Sequence, residues 1–325
     1  VRAVQISEFG GPEVLQIVDV EPPKATDDLV LIDVEAAGVN YADTHQIEDS
    51  YLAPQSLPLI PGAEVVGRVR GGELDGRRVV ALTLSGGGYA EQAVAHPSTV
   101  FPIPDEVPDG VALALVLQGT TAWHLLRSSA HLSAGESVVV HAAAGGVGTL
   151  AVQLARQWGA GRVIATASSP EKRALALELG ADVAVDVSST ETAKQVRQIL
   201  VEANDGTPVD IVLEMTGGHV FDGSLQALGP WGRLITYGMA CREAATPIAP
   251  AALMATSRTV SGFWLVHAVR RPGGLSTAMA ELLSLVQVGR LKPVVGGSYP
   301  LGEAARAHQD LLARRSTGKL ILNLG

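Results

Sequence analysis

Cysteine is nearly absent from this chain: of 325 residues only Cys241 is one. A single thiol excludes an internal disulfide framework and any metal site built from several thiolates. Aromatic residues are scarce too, at 4%, which leaves few platforms for stacking the bases of a single strand. Positive charge is in deficit, with 24 Lys and Arg against 33 Asp and Glu, a net charge of −9. That balance disfavours a nucleic-acid partner, because phosphate neutralisation needs a basic surplus, although a local basic pocket stays open to the chain. Long hydrophobic runs are also missing. The most apolar stretches, 111–117 and 138–144, are far shorter than the roughly 20 residues that cross a bilayer. The opening VRAVQISEFGGPE alternates like a strand and lacks the apolar core of an export signal. The expectation is a cytoplasmic protein with no membrane partner.

Apolar residues are plentiful, 47% against 18% charged, and the length fits two domains with sizeable cores. The first third reads as short β-rich runs punctuated by Gly, Pro and Asp: VRAVQISEF, VLQIVDVEP, DLVLIDVEAAGV, AEVVGRVRG, RRVVAL and YAEQAVAH. Such a segment suggests a small barrel-like domain. Helical patterning starts near Gly110, and from Ser137 strands and helices alternate. SVVVHA, RVIATAS, DVAVDV, VDIVLEM and GRLITYG are the strands; LAVQLARQWG, EKRALALELG, ETAKQVRQILVEAN and the short GSLQALG are the helices. Continuous apolar strands separated by helices predict a parallel sheet covered on both faces. After about Phe263 the pattern returns to helix and ends in a LILNLG strand, expected to rejoin the first domain. The predicted class is therefore α/β: a split β-rich domain, 1–115 and 266–325, around a doubly wound parallel-sheet domain, 116–265.

The sharpest local feature is HAAAGGVG, His141–Gly148. Ala142, Gly145 and Gly148 follow the A/G-x-x-G-x-x-G spacing, directly after a strand and directly before a helix. Small residues there let backbone approach a pyrophosphate whose charge sits at a helix N-terminus. A glycine triad alone is weak, and the strand–turn–helix context is what makes it informative. An acidic residue about 20 positions on would hold the ribose 2′-OH of NAD. Here that strand ends Ala167-Ser168-Ser169-Pro170-Glu171-Lys172-Arg173. Hydroxyls followed by two cations suit a 2′-phosphate instead, and NADPH is the expected cofactor.

With EFGGPEVL (8–15), AAGVNYADT (36–44), PGAEVVGRV (61–69), QGTTAWHLL (118–126), HAAAGGVG (141–148), TGG (216–218), ITYG (235–238) and STGKLIL (316–322) in order, the chain resembles the zinc-independent quinone oxidoreductases, the zeta-crystallin-like branch of the medium-chain dehydrogenase/reductases. The resemblance spans essentially the whole chain. It implies a GroES-like β-rich catalytic domain, a Rossmann domain, NADPH in the cleft between them, and a homodimer. By that likeness Asn40 and Thr121 lie near the nicotinamide, while Ala144, Gly145, Gly146, Val147 and Gly148 carry the pyrophosphate. Ser168, Lys172 and Arg173 meet the 2′-phosphate. Thr216, Tyr237 and Gly238 add cofactor contacts, and Phe263, Trp264 and Leu265 hold the carboxamide. Arg314, Gly318 and Lys319 close over the phosphates. The chain departs from the family pattern at Asp186, where a Tyr is usual, and at His45, where close relatives have Tyr.

Zinc-dependent relatives need an early Cys and a Gly-His-Glu. This chain has Val39-Asn40 and Gly62-Ala63-Glu64 there, and its eight His show no H-x-x-x-H spacing. No metal is expected, and Glu64 reads as a structural carboxylate bonded to backbone or to an Arg. Hydride transfer from nicotinamide to a quinone then needs orientation and exclusion of water. A donor near the acceptor's carbonyl would help, and Tyr41, His45 and Tyr51, expected in a loop, are the candidates beside Asn40 and Thr121. Segments 45–58 and 240–260 are the expected variable walls. An enone or 2-alkenal double-bond reductase of the same fold is the nearest alternative. A nucleotide-binding protein without catalysis, crystallin-like or RNA-binding, is the alternative of another class.

Overall fold

Runs of Val, Ile and Ala between turn formers become strands through the first third of the chain. The computed structural model describes residues 1–26, 28–83 and 86–324, so Gly325, the end of the expected closing strand, lies outside the described residues. Its first strands are β1 (Arg2–Gln5), β2 (Gln16–Asp19), β3 (Val30–Val39), β4 (Glu64–Val69), β5 (Arg78–Leu82), β6 (Gln92–Ala95) and β7 (Val100–Pro102). β1 and β2 form an antiparallel pair. The ten-residue β3 organises the main sheet: residues 30–33 pair β6, and residues 32–37 pair β4 across a bulge between Val34 and Ala36.

Six further strands follow: β8 (Ser137–Val140), β9 (Arg162–Thr166), β10 (Val183–Val185), β11 (Val209–Glu214), β12 (Leu228–Thr236) and β13 (Thr259–Gly262). All pair in parallel, in the order β10-β9-β8-β11-β12-β13. Numbered from β8, that is 3-2-1-4-5-6, the doubly wound order whose direction reverses between β8 and β11. β8 is buried along its whole length, as a strand covered on both faces must be. Helices Gly146–Gln157, Pro170–Glu178, Ala193–Ala203 and Gly218–Ala227 make the crossovers. The last of these begins well before the expected GSLQALG, because HVFD is helical too. β13 escaped the sequence reading: as an edge strand of half-polar TVSG, it has no apolar run to betray it.

The last two strands, β14 (Val295–Pro300) and β15 (Lys319–Asn323), return to the first sheet, whose order is β14-β15-β3-β4-β5-β7. β15 lies antiparallel to β3 and parallel to β14. The chain divides into two compact units: 1–118 with 269–287 and 293–325, and 119–268 with 288–292. Each junction falls three residues past the expected one. The first lies inside a helical run, Asp109–Ser129, where composition does not change. Residues 288–292 join the second unit because carbonyls of Arg290 and Lys292 accept from Gln157 and Gln153 of its first crossover helix. Each unit has its own apolar core, Ile32, Val65, Val79 and Leu322 in one, Val139, Ile164, Val212 and Leu234 in the other. Among the described residues no helix is long and apolar enough to cross a membrane.

Arg78 shows how polar groups stitch the first unit. Its Nη1 donates to the carbonyls of Pro104, Asp105 and Val107 at 3.0, 3.2 and 2.8 Å, Nη2 pairs with Asp109, and Nε reaches Glu35 at 3.3 Å. Removing it strands three carbonyls and uncouples the 104–109 segment from β5. Arg78→Ala is expected to cost about 3–5 kcal/mol, the range for breaking a buried charged network, read as a fall in the denaturant midpoint at unchanged m-value.

Candidate functional site

The C-terminal ends of the parallel strands collect most of the candidate residues of the second unit. β8 runs into the turn Ala142–Gly145, whose Ala143 N–H bonds the Thr166 carbonyl at the tip of β9 (3.0 Å). Ala142 takes a left-handed φ of 49°, a conformation that costs an alanine roughly 1–2 kcal/mol. A Cβ on Gly148 would lie 2.7 Å from Ala143 Cα, so only glycine lets the helix Gly146–Gln157 sit this close to the turn. The N–H groups of Gly146, Val147 and Gly148 open that helix, where no carbonyl precedes them to accept. Ala144 is buried behind them. Small residues, first-turn donors and the switch point between β8 and β11 together fit a dinucleotide pyrophosphate.

Neighbouring strand tips add the rest. Ser168 stands exposed beyond β9, Thr216 follows β11, Tyr237 and Gly238 follow β12, and Phe263, Trp264 and Leu265 follow β13. The Tyr237 N–H bonds the Glu214 carbonyl at 3.0 Å and the Phe263 N–H bonds Thr236 at 2.8 Å, extending the pairing past the sheet. Phe263 stacks on His124 with ring centroids 6.0 Å apart. Thr121 is buried one turn earlier on the same helical run as His124. His141, one residue before the turn, is a satisfied core group: its nitrogens meet Thr166 Oγ1 at 3.0 Å and Ser224 Oγ at 2.8 Å, and burial drives its pKa down to about 4.

At the β9 tip Arg173 is held within the chain. Arg173 Nη1 donates to Ala167 O (3.0 Å) and pairs with Asp186 Oδ2 at 3.1 Å. Asp186 Oδ1 accepts from Ser188 N–H and Oγ. Burial works to raise the Asp186 pKa, but the Ser188 bonds and the Arg173 charge hold it below the usual carboxylate value. The departure from the family Tyr is thus answered within the chain, by drawing Arg173 toward β10.

Sequence reasoning missed Glu214, the last residue of β11. It is fully buried; Oε1 accepts from Thr216 N–H at 2.6 Å and Gly217 N–H at 3.0 Å, while Oε2 has no partner among the described residues. Burial outweighs those bonds and lifts its pKa to about 7. The signal was an acid inside the otherwise apolar VDIVLEM.

In the first unit the structure corrects three expectations. Tyr41 and His45 lie on a helix, Tyr41–Ile47, not in a loop; only Tyr51 falls in irregular chain. The Asp43 carboxylate accepts the Asn40 N–H at 2.8 Å, half of a capping box that starts the helix. On it Tyr41 and His45 sit one turn apart, ring centroids 5.7 Å, with His45 Nδ1 2.8 Å from Ser50 Oγ. Secondly, Lys319 does not reach out over phosphates. It is 0% exposed, and Nζ pairs with Glu64 Oε1 and donates to Asn40 Oδ1 (3.1 Å) and Val39 O (3.3 Å). Thirdly, Glu64 answers a Lys, not an Arg or backbone. Gly318 also has a packing role: at φ 52° a Cβ there would lie 2.7 Å from the Val294 carbonyl carbon. Arg314 stays exposed at the end of helix Ala304–Leu312, with φ 55°.

Asn40 is the hub of this unit. Gln118 Nε2 donates to its Oδ1 at 3.1 Å, and its own Nδ2 donates to Glu64 Oε1 at 2.8 Å. Through Asp43 it connects to Tyr89 OH (2.9 Å), which meets His308 Nε2 at 3.0 Å. Burial raises Asp43 to about 7 and lowers His308 to about 4, so both are neutral over a shared range near pH 5–6.

The Alcohol dehydrogenase GroES-like domain family matches residues 26–105, and the Zinc-binding dehydrogenase family matches 146–286. The second name implies zinc, and the donors of this chain do not fit it: Glu64 and Asn40 face an ammonium, with neither thiolate nor imidazole among their partners in the described residues. Among the described residues no group of three or more His, Cys, Asp or Glu is placed to hold a metal ion. Quinone oxidoreductase of Mus musculus is 35% identical over 333 residues, covering 99% of this chain and 98% of its own. The Pseudomonas aeruginosa quinone oxidoreductase is 34% identical over 331 residues, covering 99% of each. Among solved structures, Escherichia coli quinone oxidoreductase complexed with NADPH superposes with a TM-score of 0.92 at 29% identity, covering 100% of both chains. The Thermus thermophilus enzyme, also solved with NADPH, gives 0.85 at 37%, again over 100% of both.

Glu214 generates a pH-dependent prediction. A carboxyl whose folded pKa is raised to about 7 contributes stability in its neutral form. That contribution is full below the unfolded value near 4.5 and is lost as pH rises through 7. Glu214→Gln, which cannot ionise, should therefore gain on the wild type between pH 5 and 8, by on the order of 1–3 kcal/mol. Urea unfolding of both proteins at several pH values reads the difference.

Proposed function

Because the chain belongs to the quinone oxidoreductase family of the medium-chain dehydrogenase/reductases, we propose that it catalyses NADPH-dependent reduction of quinones by direct hydride transfer. The observation that carries this reading is the row of strand tips in the 3-2-1-4-5-6 sheet, with a glycine-dependent turn at the switch point and hydroxyl and cationic groups at the second tip. When bound, NADPH supplies the hydride. The chain's own residues do the remainder. Gly145–Gly148 hold the pyrophosphate through backbone donors, Ser168 and Lys172 take the 2′-phosphate, and Phe263–Leu265 offer backbone to the carboxamide. Tyr237 is raised well above its ordinary pKa by burial and by the neighbouring Glu214, so it acts as a neutral hydrogen-bonding wall.

In the first unit Asn40 is the donor proposed for the acceptor's carbonyl, and Tyr41, His45 and Tyr51 line the acceptor's side. Conjugation in a quinone spreads the charge that arrives with the hydride, so one or two such donors suffice without a metal. A homodimer is proposed through β13: it is one of the two outermost strands of its sheet, and Met254, shortly before it in the chain, is exposed.

The direct test follows oxidation of NADPH by absorbance with 9,10-phenanthrenequinone, 1,4-benzoquinone, a cyclic enone and a 2-alkenal, each repeated with NADH and with chelator. Chelator-insensitive turnover of the quinones with NADPH is expected. Turnover of the enones alone would replace this reading with a double-bond reductase. For the cofactor, Lys172→Ala is expected to weaken NADPH binding about tenfold, the worth of one charge-assisted bond, with NADH unaffected. Arg173→Ala should change NADPH affinity less, since Asp186 already balances that charge.

A further inference from the structure

A buried ammonium with three N–H groups and three oxygen partners has no donor left for a ligand. Lys319 is in that state: Glu64 Oε1, Asn40 Oδ1 and Val39 O account for its hydrogens. The space it occupies exists because residue 38 is glycine; a Cβ there would stand 2.6 Å from Lys319 Nζ and run into Glu64. Asn40 is specified just as fully. Its carbonyl oxygen accepts two bonds, from Lys319 and Gln118, and its amide nitrogen gives one hydrogen to Glu64. Turning the amide over would set an NH2 against an ammonium and a carbonyl against a carboxylate, so one orientation alone satisfies the charges.

We infer that Lys319, with Glu64 and Gln118, is a positioning residue that locks the Asn40 side chain with its second amide N–H kept as the donor for the acceptor's carbonyl oxygen. This rests on the quinone reductase reading above and reassigns Lys319 from holding phosphate to orienting a catalytic donor. Charge that develops on the acceptor oxygen as hydride arrives meets a donor already in place, which needs no reorganisation at that moment. Lys319 and Gln118 make the donor stronger by drawing electron density to the amide oxygen, and Lys319 also keeps the buried Glu64 carboxylate compensated.

The test replaces both charges together, Glu64→Leu with Lys319→Met, so that neither is left buried alone. Expected is a kcat for phenanthrenequinone reduction lowered by about ten- to a hundredfold, as for loss of an oriented oxyanion donor, with NADPH affinity within about twofold of wild type. Gln118→Leu leaves the ion pair intact and should lower kcat several-fold, and on an Asn40→Ala background neither change should lower it further. Weakened NADPH binding at wild-type kcat would return Lys319 to the phosphates. Wild-type kcat in the double variant, or full additivity with Asn40→Ala, would make the cluster merely structural. Should the double variant not fold, Gln118→Leu decides alone, an unchanged kcat overturning the inference. Hydrogen exchange at the Asn40 side-chain amide gives a readout without turnover. One proton protected in the wild type, less protected in Gln118→Leu where the Glu64 bond remains, and unprotected in the double variant supports the lock, and two equally fast protons in the wild type refute it. Absent quinone turnover by the wild type refutes the function reading, leaving this measurement to judge the cluster.

Discussion

One buried charge pair, Lys319 with Glu64, is the constraint around which the first unit is assembled. Taking two charges out of water is expensive, and such a pair leans on further polar partners; the three hydrogens of the Lys319 ammonium are all matched, while Glu64 Oε2 has no partner among the described residues. Here the partners come from three places distant in sequence: the end of β3, the start of β4 and the start of β15. Because strand side chains alternate with a period of two, slipping β15 by one residue would swing Lys319 to the opposite face and strand Glu64. The observed register, Leu320 opposite Val39, is the one that avoids this. Stability is therefore a weaker description of the pair than registry: it selects one pairing of β15 among those its apolar side chains would tolerate. The same atoms then decide which way Asn40 faces, so strand register and the chemistry of the hub residue are a single choice.

The second unit depends on a different device, closeness of backbone. Its sheet needs no buried ions, because apolar strands between covering helices satisfy their own polar groups. What it needs is a helix start near enough to β8 to leave its N–H groups facing outward, and Gly148 permits that approach. His141 then binds β8, β9 and helix Gly218–Ala227 in one neutral hydrogen-bonded set, fixing the floor under the turn.

Legibility differed between the units for the same reasons. In the second, function sits on local patterns: a glycine spacing, a strand followed by hydroxyls and cations, and apolar runs whose alternation with helices reveals the sheet. These can be read from adjacent residues. In the first, the decisive partners of Asn40 lie 24, 78 and 279 positions away, and no window of sequence contains them. The family likeness puts Lys319 over the phosphates together with Arg314 and Gly318 of the same RRSTGK segment. Nothing local says that β15 turns it inward. The helix at Tyr41 was readable in part, since Asn40 and Asp43 stand at capping-box spacing, yet seven residues are too few for hydrophobic periodicity to announce. Arg173 is intermediate: its charge was visible, but its restraint by Asp186 required knowing that β9 and β10 are neighbours.

The place of β15 also governs how the chain comes into being. Val39 and Lys319 are 280 residues apart, and between them runs the whole of the second unit. On a translating ribosome, β3 emerges early and must wait for almost the whole of the remaining sequence before the flank of its second half is covered. The residues of the second unit, by contrast, have all been synthesised by Lys292. Throughout that delay an apolar strand shows open N–H and C=O groups to any other chain nearby, the condition under which nascent proteins aggregate or recruit chaperones. A stalled or truncated product would carry its nucleotide-binding sheet complete and its first sheet unclosed. Yield in the cell would then depend on how quickly the last strand arrives.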